Sequence, residues 1–426
     1  MMTVEAMNRI KLHRDVPELA SVDVCVVGGG PSGTAAAVAA RRCGRSVMLL
    51  ERTAQLGGMA TSGAVAIWMS VGTVTGFYQE ICRDLQLADF LGRDWNTVPM
   101  FTPLFNPFRL RHYLNRKLKD AGVIVHFHME FVAAIKEGET LTQVVVMTRE
   151  GLQAVRARQF IDCTGNASVA RDAGVPTRTG RDEDGATQPM TMMFTMQDTG
   201  RTITPFLPEG CPRYDRVEDL PQGRRLFWDD KATGTMLVNM TRVRGHGARI
   251  EDISRCEREA LAQVFGVVDY LQRNGYPTYV LAHVAAQIGV RETHQIVGRY
   301  TLSPEDMTGG RRFPDVATQN NYEIDIHNPT GKGGCDERSV GLYDIPLRCL
   351  VPSSGAVNLL VAGRCLSASH VAMSSARVMP VCFGMGQAAG VAAALAVEQG
   401  GGHVGDVALS AFHTCLREQG VDFMEA

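Results

Sequence analysis

The sequence predicts an α/β protein: a doubly wound, largely parallel sheet into which a smaller α+β domain is inserted. Three observations predict it. Residues 22–27 (VDVCVV) are apolar without alternation, as a strand covered on both faces requires. An alanine-rich helix and a second apolar run, SVMLLE at 46–51, follow at once and complete a βαβ unit. Between 176 and 345 the text changes to loops rich in Pro, Gly, Asp and Arg, before buried-strand text resumes. The expected division is 20–175 and 346–426 as two parts of one domain, with 176–345 inserted between them. A chain of 426 residues exceeds what one compact core usually fills, which agrees with two domains.

Each element has its own local reason. Residues 31–43 are small enough for their helix to lie directly on the sheet. RLRHYLNRKLKDAG (109–122) carries leucines at 110, 114 and 118, a helical repeat closed by glycine. VIVHFHMEFVAAI (123–135) reads as one strand, and QVVVMT and VRARQFIDCTG as two more. MTMMFTMQ (190–197) reads as a strand with Met190, Met192, Phe194 and Met196 on one face, where core packing competes with lining a ligand. A helix is expected around 251–273, a strand in AVNLLVAGR (356–364), and a long helix over GMGQAAGVAAALAVEQG (384–400).

Composition narrows the class. Apolar content of 45% and charged content of 21% are those of a soluble globular protein. A net charge of −2 offers no basic stripe for nucleic acid. Eleven scattered cysteines with no CxxC pair fit neither a disulfide framework nor a metal site, and a reducing, cytoplasmic setting is expected. The N-terminal stretch lacks the apolar run of a secretory signal, and no run of about 18 apolar residues offers a membrane span.

The chemistry begins at VDVCVVGGGPSGTAAAVAARRCGRSVMLLER (22–52). Gly28, Gly30 and Gly33 form G-x-G-x-x-G between a strand and a helix. The first permits the turn, the second lets backbone approach a pyrophosphate, and the third lets helix touch strand. The unpaired N–H groups and positive dipole end of the helix favour that anion. Glu51 ends the second strand, where a carboxylate accepts hydrogen bonds from a ribose. This is a Rossmann-like dinucleotide site. The Gly57–Gly58 pair just beyond it favours close passage of phosphate and flavin over the regular βα units of a nicotinamide enzyme. FIDCTGNASVARDAG (160–174) supplies a second turn, at Thr164 and Gly165, and LLVAGRCLSASHVAMSSARVMPVCFGMGQAAG (359–390) a strand ending at Gly363 and a glycine-opened helix.

Together DVCVVGGGPSG, ERTAQLGGMAT, IDCTGNASVA, GVRETHQIVGRYTLSPEDM, YDIPLRCLVP and NLLVAGRCLSASHVAMSSARVMPVCFGMGQAAG resemble the bacterial FAD dependent oxidoreductase family. That family is similar to the glutathione-reductase-like flavoproteins and distantly related to fumarate reductase and succinate dehydrogenase flavoprotein subunits. The blocks run from about residue 20 to 398. The resemblance implies a glutathione-reductase-type FAD-binding domain and an inserted substrate domain facing the isoalloxazine. It implies that Gly28, Gly30, Ser32, Gly33, Glu51, Arg52, Gly58 and Met59 line the FAD. Further along it implies Val132, through its backbone, then Thr164, Gly165, Gly363, Arg364, Gln387 and Ala388.

A flavin supplies the redox chemistry, so the protein must position substrate and manage protons and charge. Catalytic candidates are His370 and Arg377 in SASHVAMSSARVMP, Arg291 in IGVRETHQIVGRY, and His327 in YEIDIHNPTGKGG. A histidine moves protons near neutral pH and an arginine grips a carboxylate. Packing, ion-pair and surface-loop roles compete with each. The expectation is hydride transfer between a small organic substrate and flavin N5, with an unidentified electron donor or acceptor, no metal, and an open oligomeric state. An FAD-binding subunit of an electron-transfer complex and a flavin monooxygenase are the alternatives. For the latter, CTGNASVAR carries Thr164 where aromatic hydroxylases have aspartate.

Overall fold

Ten residues of β-rich sequence form β1 (Glu18–Val27), and its neighbours on both sides run parallel to it. The computed structural model describes residues 11–69, 73–87, 104–329, 334–399 and 402–424. Helix α1 (Pro31–Arg42) follows β1, with Gly30 as N-cap and Pro31 fixing its first turn, and leads to β2 (Val47–Glu51), every residue of which is buried. Helices α2 (Phe77–Leu87) and α3 (Pro107–Asp120) come next; the Asn106 side chain caps α3 by accepting from the N–H groups of Phe108 and Arg109.

The apolar run after α3 makes two strands where one is expected, β3 (Ile124–Phe127) and β4 (Glu130–Glu137). The break falls at His128, which takes a left-handed φ of 58°, while the Met129 N–H turns back to donate to the Glu51 carbonyl. Strand β3 extends the parallel sheet beside β2, whereas β4 opens an antiparallel meander with β5 (Thr140–Thr148) and β6 (Gly151–Asp162). The resulting order is β3-β2-β1-β6-β5-β4. β6 is long enough to pair with β5 in its first half and with β1 from Ala154 to Asp162.

A short helix α4 (Ser168–Asp172) leads into the middle of the chain. There β7 (Thr177–Thr179) pairs far along the sequence, while β8 (Phe194–Asp198), β9 (Phe227–Asp230) and β10 (Thr235–Val238) form an antiparallel sheet. Helix α5 (Ile250–Arg273) lies between that hairpin and the sheet's last strand, β11 (Tyr279–Val284). The expected strand 190–197 is regular only from Phe194, because residues 190 and 191 pair instead through single bridges to Val243 and Gly289. Within IGVRETHQIVGRY, His294–Ile296 form β12, the partner of β7.

After α6 (Pro304–Thr308) come two antiparallel pairs: β13 (Val316–Asn320) with β16 (Tyr343–Pro346), and β14 (Ile324–His327) with β15 (Cys335–Arg338). Strand β17 (Leu359–Val361) then returns to the first sheet, parallel to β6. Helices α7 (His370–Ala376), α8 (Met379–Glu398) and α9 (Leu409–Glu418) close the fold.

Helix α8 begins five residues before the expected 384. Its glycines mark packing, not an opening: a Cβ at Gly386 would lie 2.0 Å from the Ser32 carbonyl oxygen, and one at Gly390 2.3 Å from that of Ala36. The small faces of α1 and α8 thus meet backbone to backbone. By length and composition α8 could also cross a membrane, contrary to the expectation that no stretch does, yet every residue of its apolar window is buried inside the protein.

Candidate active site

A cavity of about 810 Å³ opens at the C-terminal end of β1 and β2, where open α/β sheets place their ligands. Gly28 holds φ +103°, and its N–H donates to the Leu50 carbonyl at 2.8 Å. A Cβ there would lie 2.5 Å from the Cys163 carbonyl oxygen, and one on Gly33 would lie 1.7 Å from that of Gly28. Both positions exclude any side chain. Gly30 differs: the only atom near its Cβ direction is the Gly58 Cα, at 4.0 Å. The start of α1 therefore faces open cavity, with no side-chain cap and no acid in its first turn. That leaves N–H groups free to meet an anion.

Glu51 is buried at the end of β2, with Oε2 accepting from the Gly29 N–H at 2.7 Å and Oε1 from the N–H and hydroxyl of Thr53, each at 2.7 Å. It ties the glycine turn to β2 while lining the cavity. Ser32, Arg52, Gly58, Met59, Thr164, Gly165 and Gly363 line it too. Arg364 also lines it, partly buried, so that desolvation lowers its pKa, and its buried Nη1 has no protein partner. A chamber with a bare helix start, a carboxylate at the end of the second strand and an orphaned guanidinium nitrogen fits FAD.

Four positions lie apart from the cavity wall. Gly33 is spent on helix–strand contact. Val132 is half-exposed, and its neighbours Met129, Glu130 and Phe131 line the cavity in its place. Gln387 points the other way, accepting from the Phe77 N–H at 2.9 Å and donating to the Gln419 carbonyl. Ala388 is buried beside it within α8. The α8 residues that reach the chamber are Met379 and Cys382, in its first turn.

Another part of the cavity collects charge from three segments. Arg291, Arg377, Asp325 and His327 all line it. Arg377 Nη2 reaches Asp325 Oδ2 at 3.3 Å, and Asp325 Oδ2 also accepts from the Tyr322 hydroxyl at 3.1 Å. His327 Nε2 lies 3.5 Å from the same oxygen, and its Nδ1 is 3.0 Å from the Cys335 sulfur. Arg242 stands behind: its Nη1 and that of Arg291 both donate to the Thr191 hydroxyl, at 2.9 and 2.7 Å. His327 is not on a surface loop, as YEIDIHNPTGKGG allowed, but on buried β14; residues 330–333 of that stretch lie outside the described residues. His370 does not reach the cavity. Its Nδ1 pairs with buried Glu292 at 2.8 Å.

Burial governs the titration here. It lowers the Arg291 pKa to about 10, helped by Arg377, and pushes that of Arg242 well down, helped by Arg291. Burial and Arg291 likewise hold His327 neutral. Burial opposes ionisation of Asp325, but a hydrogen bond from His327 and the charges of Arg377 and Arg291 outweigh it and hold the carboxyl far below its usual range. The ligand atoms of Asp325, His327 and Cys335 lie within 4.8 Å of one another, a donor set that could suit zinc. Three guanidiniums around it oppose a cation.

Asp325, Arg242 and Cys335 were not singled out in the sequence. Alternation in I-D-I-H carries a signal for the first, since period two puts Asp325 and His327 on one strand face. Cys335 faces His327 across the β14–β15 pair. Arg242 has no local signal. Of the methionine run, Met190, Met192, Phe194 and Met196 are core, and Thr191 and Met193 face the cavity.

Arg171 and Arg249, which line the cavity, bear on His294, whose ring lies 5.1 Å from that of His246. Burial and these cations lower the His294 pKa from 6.5 to about 4. Between those values the unfolded chain binds a proton that the folded chain refuses. Stability present above pH 6.5 is therefore lost progressively as pH falls towards 4. In urea unfolding at pH 7 and pH 4.5, His294→Gln is expected to show a smaller fall in midpoint than the unaltered chain; an identical fall would contradict this.

Fold and chamber define a nucleotide-binding flavoenzyme. The chain belongs to the FAD dependent oxidoreductase family, whose sequence pattern matches residues 23–416, and FAD is its cofactor. Among solved structures it is similar to a geranylgeranyl bacteriochlorophyll reductase-like protein from Thermoplasma acidophilum, at 12% identity and a TM-score of 0.51, over 94% of this chain and 84% of that one. It is also similar to the myxobacterial chondrochloren halogenase CndH (14%, TM-score 0.45, 95% and 78%) and to AlpK (15%, TM-score 0.45, 88% and 62%). The chain spans less than two thirds of AlpK's length. At these identities the likeness is one of fold. No curated protein matches the sequence significantly.

Proposed function

We propose that this oxidoreductase transfers a hydride between a small organic substrate and N5 of FAD, in the part of the cavity bounded by Arg291, Arg377, Asp325 and His327. One observation carries the reading: a single cavity runs from the glycine turn at Gly28–Gly30 to that cluster. When bound, the flavin supplies the two-electron acceptor or donor. The chain's own groups then hold the substrate with Arg291 and Arg377. His327 stays uncharged beside it, oriented through Nε2 by Asp325. In this reading residues 176–345 act as the substrate domain over a glutathione-reductase-type FAD domain, and a small diffusible molecule completes the electron exchange.

The test uses FAD-loaded protein under anaerobic conditions. Bleaching of its oxidised-flavin absorbance by a small alcohol, amine or acid supports the reading, as does reoxidation of the photoreduced protein by a carbonyl or enoate. Electron exchange only with a second, copurifying protein would make the chain an FAD-holding subunit. Oxygen uptake driven by an external reductant, with hydroxylated product, would make it a monooxygenase. Either result overturns the proposal.

A further inference from the structure

The cluster that bounds this part of the cavity is out of charge balance. Among the described residues, Asp325 is the only carboxylate that bonds to Arg242, Arg291 or Arg377. The other guanidinium contacts go to neutral oxygens of Thr191, Pro189, Asn239 and Thr241, or to the ring of His327. His327 and Cys335 add no compensating charge, because burial holds the imidazole neutral and raises the thiol to about 11. Three partly buried cations therefore face one buried anion. Two of them also leave a donor unused: Arg242 Nε and Arg377 Nε are buried without any partner. Uncompensated buried charge is costly, so such an arrangement persists where a ligand completes it.

We infer that the substrate is a doubly charged oxyanion, a dicarboxylate or a phosphate monoester, gripped by Arg291 and Arg377 with Arg242 behind them. Two negative charges bring the cluster to neutrality, and guanidinium forks match the paired oxygens of either group. A monoanion leaves one cation uncompensated, and a metal ion worsens the imbalance. The cavity must hold FAD as well, so the dianion is small. This inference rests on reading that part as the substrate's.

Binding to FAD-loaded protein tests it without turnover, through the flavin difference spectrum and the thermal midpoint. Malonate, inorganic phosphate, acetate and neutral malonamide are the probes. Malonate or phosphate is expected to bind roughly tenfold or more tightly than acetate, and acetate more tightly than malonamide, as each lost charge-assisted hydrogen bond implies. Malonate ahead of phosphate assigns a dicarboxylate, and the reverse order a phosphate ester. Arg291→Gln is expected to weaken the preferred dianion at least about tenfold while FAD is retained. Acetate binding as tightly as both dianions, malonamide matching malonate, or an FAD-loaded Arg291→Gln protein of unchanged affinity overturns the inference. If that variant fails to fold, the ranking of the four probes on the unaltered protein decides alone. Dianion binding without any substrate-driven flavin reduction would leave this site standing and remove the proposed reaction. Reduction by neutral alcohols with no anion binding would do the opposite.

Discussion

Gly30→Glu is expected to give a folded, colourless protein. Gly30 has φ −71°, which any residue adopts, and its Cβ direction meets nothing nearer than the Gly58 Cα at 4.0 Å, so the chain tolerates the substitution. The new side chain enters the cavity at the start of α1 and sets a carboxylate where the free N–H groups await a pyrophosphate. Losing two charge-assisted hydrogen bonds costs about 3 to 6 kcal/mol, or two or more orders of magnitude in FAD affinity, before repulsion is added. Flavin-to-protein absorbance reads the loss, and circular dichroism confirms the fold. Stoichiometric flavin in the variant would refute the placement of the phosphates.

The second large effect is on stability. Gly390→Val should destabilise the protein by about 3 kcal/mol or more, because even its Cβ would lie 2.3 Å from the Ala36 carbonyl oxygen. The obstacle is helix backbone, not a side chain that can swing aside. Against a typical total of about 5–15 kcal/mol, that is a large share. Denaturant melts of Gly390→Val and Gly390→Ala should show a graded loss. A variant as stable as the parent would mean that α1 and α8 can separate at no cost.

These two glycines show why parts of the molecule were legible and others were not. Gly28, Gly30 and Gly33 obey a local rule, since strand, turn and helix N-terminus are consecutive and their spacing alone states what approaches what. The parallel strands β1, β2 and β17 announce themselves by continuous apolar text for the same reason. In α8 the glycines were read by the same local rule, as the helix's opening. The structure uses them for contact with α1, more than 340 residues earlier in sequence, a relation that no window of sequence displays. His128 shows the reverse failure: one left-handed residue splits an apolar run into two strands with different partners.

The charged cluster lies at the limit of such reading. Arg291, Arg377 and His327 carry suitable chemistry, so residue type alone made them candidates. What organises them is Asp325 and Arg242, and their roles exist only once β14, α7 and the segments at 242 and 291 converge. His370 illustrates the same limit. It sits in text that the cofactor motif brings close, yet its Nδ1 is engaged by buried Glu292, off the cavity.

Because β17 and α8 complete the first sheet's layer, that layer cannot close until the chain has been made through Glu398. Until then the small-residue side of α1 lacks its partner helix, and α8 is an apolar stretch with nothing to cover it. Docking on the α1 surface is what takes that stretch out of water.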